Sequence, residues 1–162
     1  MSNGVYTIPS FVAHLTQMMM AMPMAEHAAL EAAAVIVETE ARRVLGTHDY
    51  HWPPLAPSTI VSKATGDSPG LETGEMRDSI HHHVGHTGRA GEAEADIGTD
   101  NDKAIWFELG TIRQPPRSFL AEAAVRTEPQ VVQTIGRAMT AFLSTGVVAP
   151  HPAAVAITRQ II

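Results

Sequence analysis

The sequence predicts an α+β protein in which long helices pack on a small antiparallel β-sheet, with extended N- and C-terminal arms. Three observations carry this. Apolar residues recur at helical spacing over residues 24–45 and 127–143, and period-two alternation runs over 79–84 and 92–97 with a glycine-rich connection between them. The proline-bearing ends continue neither pattern. The expected organisation is an N-terminal arm with a short helix (1–23), one α+β domain (24–144) and an extended C-terminal arm (145–162). A chain of 162 residues suits a single domain with one modest core.

Each element has a local reason. Ser10 can cap a first helix to about Ala21, which Pro23 ends because proline lacks the amide donor and its ring collides with the preceding turn. In Met24–Leu45, Leu30, Ala33, Ala34, Val37, Ala41, Val44 and Leu45 follow helical spacing. Glu26 and Glu31 near its start and Arg42 and Arg43 near its end complement the helix dipole, and Gly46 stands at the C-cap. Residues 47–56 read as a loop around Trp52. Pro57-Ser58 opens a short helix through Ser62 or Lys63, with Ser58 as its cap, and the Gly-, Ser- and Asp-rich stretch 64–74 reads as a mobile surface loop.

Ile80 and Val84 alternate with His81 and His83, and Ala93, Ala95 and Ile97 with Glu92, Glu94 and Asp96, which makes two strands of a hairpin joined by GHTGRAG at 85–91. Ala104–Leu109 is a short helix or a strand, closed by Gly110. Ser118 is placed to cap a helix through about Val125. Thr127-Glu128-Pro129-Gln130 then offers the start of a second helix with an apolar stripe of Val132, Ile135, Met139, Phe142 and Leu143, ended by Gly146. Val147–Ile162 has too few charges for a solvated tail and is expected to pack on its own domain or on a neighbouring subunit.

Composition narrows the function classes. A net charge of −6 with only 11 Lys and Arg argues against a general nucleic-acid-binding surface, since phosphate contacts need concentrated positive charge. The absence of cysteine removes disulfides and thiolate metal sites. The Met18–Met24 cluster lacks the preceding Lys or Arg of a signal peptide, and no stretch approaches the ~20 continuous apolar residues of a membrane span. No membrane association is expected.

Candidate chemistry is sparse. His81, His82 and His83 invite a metal reading, but adjacent strand residues face opposite ways, so only His81 and His83 share a face, where Glu94 or Asp96 can pair with them across the strands. His48, Tyr50 and His51 read as polar loop contacts. Glu108 lies among Trp106, Phe107 and Leu109 without the second carboxylate or nucleophile that catalysis would need, so an ion pair with Arg113 or Arg117 is expected. Ser58, Thr59 and Lys63 lack a third group to orient them as nucleophile and base. Gly85, Gly88 and Gly91 are followed by Glu92 rather than a phosphate-binding helix start. No catalytic residue, metal or cofactor is expected.

Three islands occur in order: WPPLAPSTIVSK at 52–63, GLETGEMRDSI at 70–80 and IGTDNDKAIWFELGTIRQPPRSFLAEAA at 97–124. Together they cover about half the chain. The set resembles the tail-completion and virion-morphogenesis proteins (minor tail, head–tail joining) of lambdoid and Mu-like tailed bacteriophages. That family's pattern is met by Trp52, Pro54 and Leu55; by Ser58, Thr59 and Lys63; by Leu71, Thr73, Gly74, Ser79 and Ile80; by Gly98 and Thr99; by Phe107, Glu108, Gly110 and Thr111; and by Pro116, Phe119 and Leu120. It departs at Met76, where leucine is commoner, at Trp106, and at Arg117 before Ser-Phe-Leu.

The resemblance implies a structural, non-enzymatic virion subunit, made in the host cytoplasm and located in the neck or tail. It would form a homo-oligomeric ring, six- or twelve-fold, at the head-proximal end of the tail and contact adjoining neck, connector or tail-terminator proteins. A transient assembly factor that leaves the finished particle, and a metal-dependent hydrolase using the histidines, are the rivals. The residues expected to hold the fold and its interfaces are Trp52, Leu55, Leu71, Gly74, Ile80, Trp106, Phe107, Glu108, Gly110, Thr111, Arg117, Phe119 and Leu120.

Overall fold

The computed structural model describes residues 7–86 and 93–148. Its elements are α1 (Ile8–Val44), α2 (Pro57–Ser62), α3 (Glu75–Asp78), β1 (Ile80–His86), β2 (Ala93–Thr99), α4 (Asp102–Leu109) and α5 (Leu120–Thr145). The α+β class holds, with helices packed on a two-stranded antiparallel sheet. Most of the expected hairpin loop 85–91 and of the C-terminal arm lies outside the described residues.

The long helix α1 organises everything else. Ala25, Ala29, Ala33, Ala34, Val37, Ala41 and Val44 are its buried residues, small side chains that let neighbours approach closely. The first turns of α5 join α1 in the core through Phe119 and Ala123, and the far end, Gly146, stands where an added Cβ would lie 3.7 Å from His14 Cε1. The two helices therefore run antiparallel. The hairpin packs on α1 as well: Ile80 is fully buried, and Arg42 donates from both Nε and Nη2 to the Ile80 carbonyl.

The expected helix break at Pro23 does not occur. Thr7 accepts from the Ser10 amide as N-cap, and α1 continues through Pro23 to Val44, so residues 8–22 belong to the same helix as the core rather than to a separate arm. Likewise Leu120–Thr145 is one helix with Pro129 inside it, and the two separate helices expected there are one. On α5, Val132 and Leu143 are exposed, while Phe142 is buried and Val131 packs against the core. Unbroken, α1 also becomes long and apolar enough to cross a membrane by length and composition alone, with a window of mean hydropathy 1.3. Its C-terminal half is the core helix just described.

The segment expected to be a mobile loop, 64–74, is tied down. Lys63 Nζ donates to the Ser68 carbonyl at 2.5 Å, Thr65 Oγ1 to the Leu71 carbonyl at 2.8 Å, and the Gly46 amide to the Pro69 carbonyl at 2.7 Å. Pro69 is fully buried. Gly70 has φ +72° and lies against Leu45, Phe107 and Met76, a closeness only glycine permits.

Candidate functional site

Two of the three sequence islands, 52–63 and 97–124, meet at one joint, where α4 ends and α5 begins, and the 70–80 island packs beside it through Gly70 against Phe107. Asn101 caps α4 by accepting from the Lys103 amide. At its other end Gly110 adopts φ 75° and ψ 179°, a region essentially confined to glycine, and a Cβ there would meet Pro116 N at 2.7 Å and Gln114 O at 2.9 Å. Thr111 and Gln114 then exchange backbone hydrogen bonds of 2.8 and 3.2 Å, and the Arg117 amide donates to the Phe107 carbonyl at 2.8 Å. The chain reverses within a few residues and delivers α5 beside α4.

Glu108 closes the joint. Its Oε1 accepts from Ser118 Oγ at 2.5 Å and from the Ala121 amide at 3.0 Å, and its Oε2 accepts from the amides of Phe119 at 2.7 Å and Leu120 at 3.0 Å. One carboxylate thus satisfies three donors of the α5 N-terminus, which otherwise lack partners, and places negative charge at the positive end of the helix. This corrects the expected ion pair with Arg113 or Arg117. It also corrects Ser118, whose side chain donates to Glu108 instead of capping the helix itself.

Arg117 is only 4% exposed and holds a different seam. Its Nε and Nη2 donate to the Pro53 carbonyl at 3.1 and 2.9 Å, and Nη2 also to the Pro54 carbonyl at 3.1 Å. Burial pulls its pKa below the usual guanidinium value. Trp52 donates from Nε1 to the Ser118 carbonyl at 3.2 Å, and its ring meets Tyr50 and Phe107 edge-on at 5.5 and 5.4 Å. Such edge contacts add to the burial energy of aromatic rings. Phe107, Phe119 and Ile80 are buried, Leu120 packs against them, and Gly74 begins α3 at φ 90°. Of the expected residues, therefore, Trp52, Phe107, Glu108, Gly110, Thr111, Arg117, Phe119 and Leu120 meet at the joint, while Gly74 and Ile80 serve the neighbouring turn and strand.

Leu55, Leu71 and Trp106 line a groove of about 800 Å³ between the 54–63 segment, the 70–76 turn and α4. Its charged side chains are Lys63, Glu72, Glu75, Lys103, Arg113 and Arg117. Lys63 is held by the Ser68 carbonyl, and burial lowers its pKa against the opposing pull of Glu72 and Asp67. Ser58 does not cap α2: Ala56 is the N-cap without a side-chain bond. The groove opens beside an apolar surface formed by Ile105, Trp106, Leu109 and Ile112, all exposed and Ile112 completely so.

The histidines divide between the two faces as expected, His81 and His83 on the outer one, but His82 has a role that was not foreseen. His83 stands opposite Asp96 and His81 opposite Gly98, but His82 points inward in register with Ile97. There it lies between two α1 carboxylates, with Nδ1 against Glu38 and Nε2 3.0 Å from Glu31. Burial works against its protonated form, but the bonds to Glu38 and Glu31 outweigh it and raise the pKa. Glu38 also pairs with Arg42 at 2.8 Å, so the cluster stitches β1 to α1. Sequence reading missed it, although His82 shares parity with the core residues Ile80 and Val84. Tyr50, expected as a loop contact, is buried, with its hydroxyl donating to Glu40 at 3.0 Å and the Arg126 guanidinium 4.4 Å over its ring. Among the described residues no group of three or more His, Asp or Glu is arranged to hold a metal ion.

The class this defines is an α+β domain whose island residues hold an inter-helix joint under an exposed apolar surface. No protein-family model matches the chain, and no curated protein or solved structure shows significant similarity to it.

Proposed function

We propose that this chain is a structural subunit of the neck or tail of a tailed bacteriophage, a tail-completion or head–tail joining protein that forms a ring with copies of itself. The observation that carries the reading is the pairing of a rigid joint with an unpartnered apolar surface. Glu108, Gly110 and Arg117 fix the direction of α4 and the turn after it, and on that scaffold Ile105, Trp106, Leu109 and Ile112 face outward. Adjacent exposed aromatic and aliphatic side chains mark association surfaces. The island residues bond to backbone and to one another, as parts that hold a shape do. Repetition around a ring makes contacts of modest individual strength durable together.

The subunit would meet adjoining neck, connector or tail-terminator proteins through the same end, in the virion, with no cofactor, no substrate and no specific nucleic-acid contact. Light scattering after size-exclusion chromatography and electron microscopy of the purified chain test the ring, with Ile105→Asp/Leu109→Asp as the disrupting variant. Closed rings that fall to smaller species in the variant are the expected result. Mass spectrometry of particles produced from the encoding genome tests the location. A monomer unaffected by the variant, or absence from finished particles, sinks the proposal, and the latter favours a transient assembly factor.

A further inference from the structure

A second apolar surface lies on the opposite end of the molecule, along the first half of α1. The helix has 37 residues against 26 in α5. At ~1.5 Å per residue it therefore outreaches α5 by about 16 Å. Ile8, Val12, Leu15 and Met19 are all exposed and recur at steps of four, three and four residues. At 3.6 residues per turn they fall within an arc of roughly 60°, in line with Ala33, Val37 and Val44 further along the same helix. Those three are buried. The stripe is thus covered in its second half and bare in its first, with the half-buried Glu26 on the same line between the two halves. No Asp, Glu, Lys or Arg occurs before Glu26.

Three segments lie outside the described residues. Residues 1–6, MSNGVY, run on from the start of α1, and six residues extend to only about 20 Å, short of the length of the flank. The hairpin connection 87–92, TGRAGE, carries two glycines, Arg89 and Glu92, and no large apolar side chain. Residues 149–162, APHPAAVAITRQII, are different: Val155, Ile157, Ile161 and Ile162 are apolar, and Arg159 is the only Asp, Glu, Lys or Arg. They follow directly on the end of α5, which meets α1 at His14, between Phe11 and Leu15 on the bare half. Fourteen residues reach up to about 45 Å when extended, against roughly 25 Å of helix between Ile8 and Met24. Attachment at the same level of α1, although roughly 130° round the helix from the flank, also gives the segment a high effective concentration there, which a second molecule lacks.

We infer that residues 149–162 fold back on their own chain and cover the Ile8, Val12, Leu15 and Met19 flank of α1. This stands apart from the ring assignment, because a monomer would need the same cover. Two measurements on the full-length chain test it. In Val155→Asp/Ile157→Asp, amides of residues 10–22 exchange with deuterium about tenfold faster than in the parent, while those of 29–44 keep their rates. Unchanged rates at 10–22 overturn the inference.

The second uses the natural lack of cysteine. Leu15→Cys paired in turn with Val155→Cys, Ile157→Cys or Ile161→Cys is oxidised at low protein concentration. At least one pair forms a disulfide within a single chain, seen as a faster non-reduced band of monomer mass. Covalent dimers from every reactive pair assign the cover to a second copy and overturn it, as does failure of all three pairs to react. Because the readout distinguishes bonds within a chain from bonds between chains, it is decided whether the protein is a ring or a monomer.

Discussion

Replacing Glu108 by alanine tests the joint most directly. The carboxylate accepts four hydrogen bonds, three of them from backbone amides at the start of α5. Loss of an N-terminal cap costs ~1–2 kcal/mol, and loss of a charge at the positive end of a partly buried helix a further ~0.5–2 kcal/mol. Water reaches some of the freed amides, so the two do not add fully. The expected destabilisation is about 2–3 kcal/mol. For a domain of this size that is roughly 5–10 °C in the unfolding midpoint. Urea denaturation followed by Trp52 and Trp106 fluorescence measures it, at a pH where the carboxylate is ionised. Glu108→Gln keeps one good acceptor but turns an amide group toward the remaining donors, so it recovers no more than about half of the loss. A Glu108→Ala protein within ~0.5 kcal/mol of the parent would refute the capping role, because surface substitutions alone produce changes of that size.

Arg117→Lys removes the planar fork that reaches two carbonyls, and a loss of about 2–3 kcal/mol in urea is expected even though the charge is kept. Gly70→Ala puts a Cβ 2.7 Å from Leu45 Cδ2 and 2.9 Å from Phe107 Cζ at a positive φ, and a loss of about 2–4 kcal/mol follows from strain and overpacking together. Because His82 has its pKa raised from 6.5 by Glu38 and Glu31, its contribution is fully present below about pH 6.5 and is lost as pH rises through the higher folded value. The unfolding midpoint of the parent should therefore fall across that window more steeply than that of His82→Gln; parallel curves would show that the histidine is not charged between its two carboxylates.

Much of this was legible, and the failures have physical causes. Local periodicity gave the strands, the core half of α1 and the stop at Gly146, because each depends on neighbours within a few residues. Glu108 was not legible as a cap. Its partners lie 10 to 13 residues away on the next helix, and capping rules read only the residues that adjoin a helix start. Ser118 satisfied that local rule and misled it. His82 left a signal that went unused: it has the parity of Ile80 and Val84, and Glu31 and Glu38 stand seven residues apart, two turns along one helix face. A polar residue on an inward strand position with two carboxylates on the facing helix is a pairing that alternation of apolar residues alone does not reveal.

The two prolines failed for a reason that bears on the uncovered flank. A proline inside a helix costs ~3 kcal/mol, because one hydrogen bond is lost and the ring crowds the preceding turn. In α5 the helix beyond Pro129 recovers this by burying Phe142 and packing Val131 on the core, each large apolar side chain contributing ~1.5–3 kcal/mol. Before Pro23 the return among the described residues is smaller: Met18 and Met22 are only half-buried, Ile8, Val12, Leu15 and Met19 remain exposed, and Thr7 capping supplies about 1 kcal/mol. Cover by residues 149–162 would restore the balance, since burying two of those four side chains already offsets the proline. Val155→Asp/Ile157→Asp should then fray α1 from its start to Pro23. Far-ultraviolet circular dichroism should show the lost helix while the urea midpoint of the core moves little, and a variant with full parental helicity would mean that α1 needs no cover to persist through its proline.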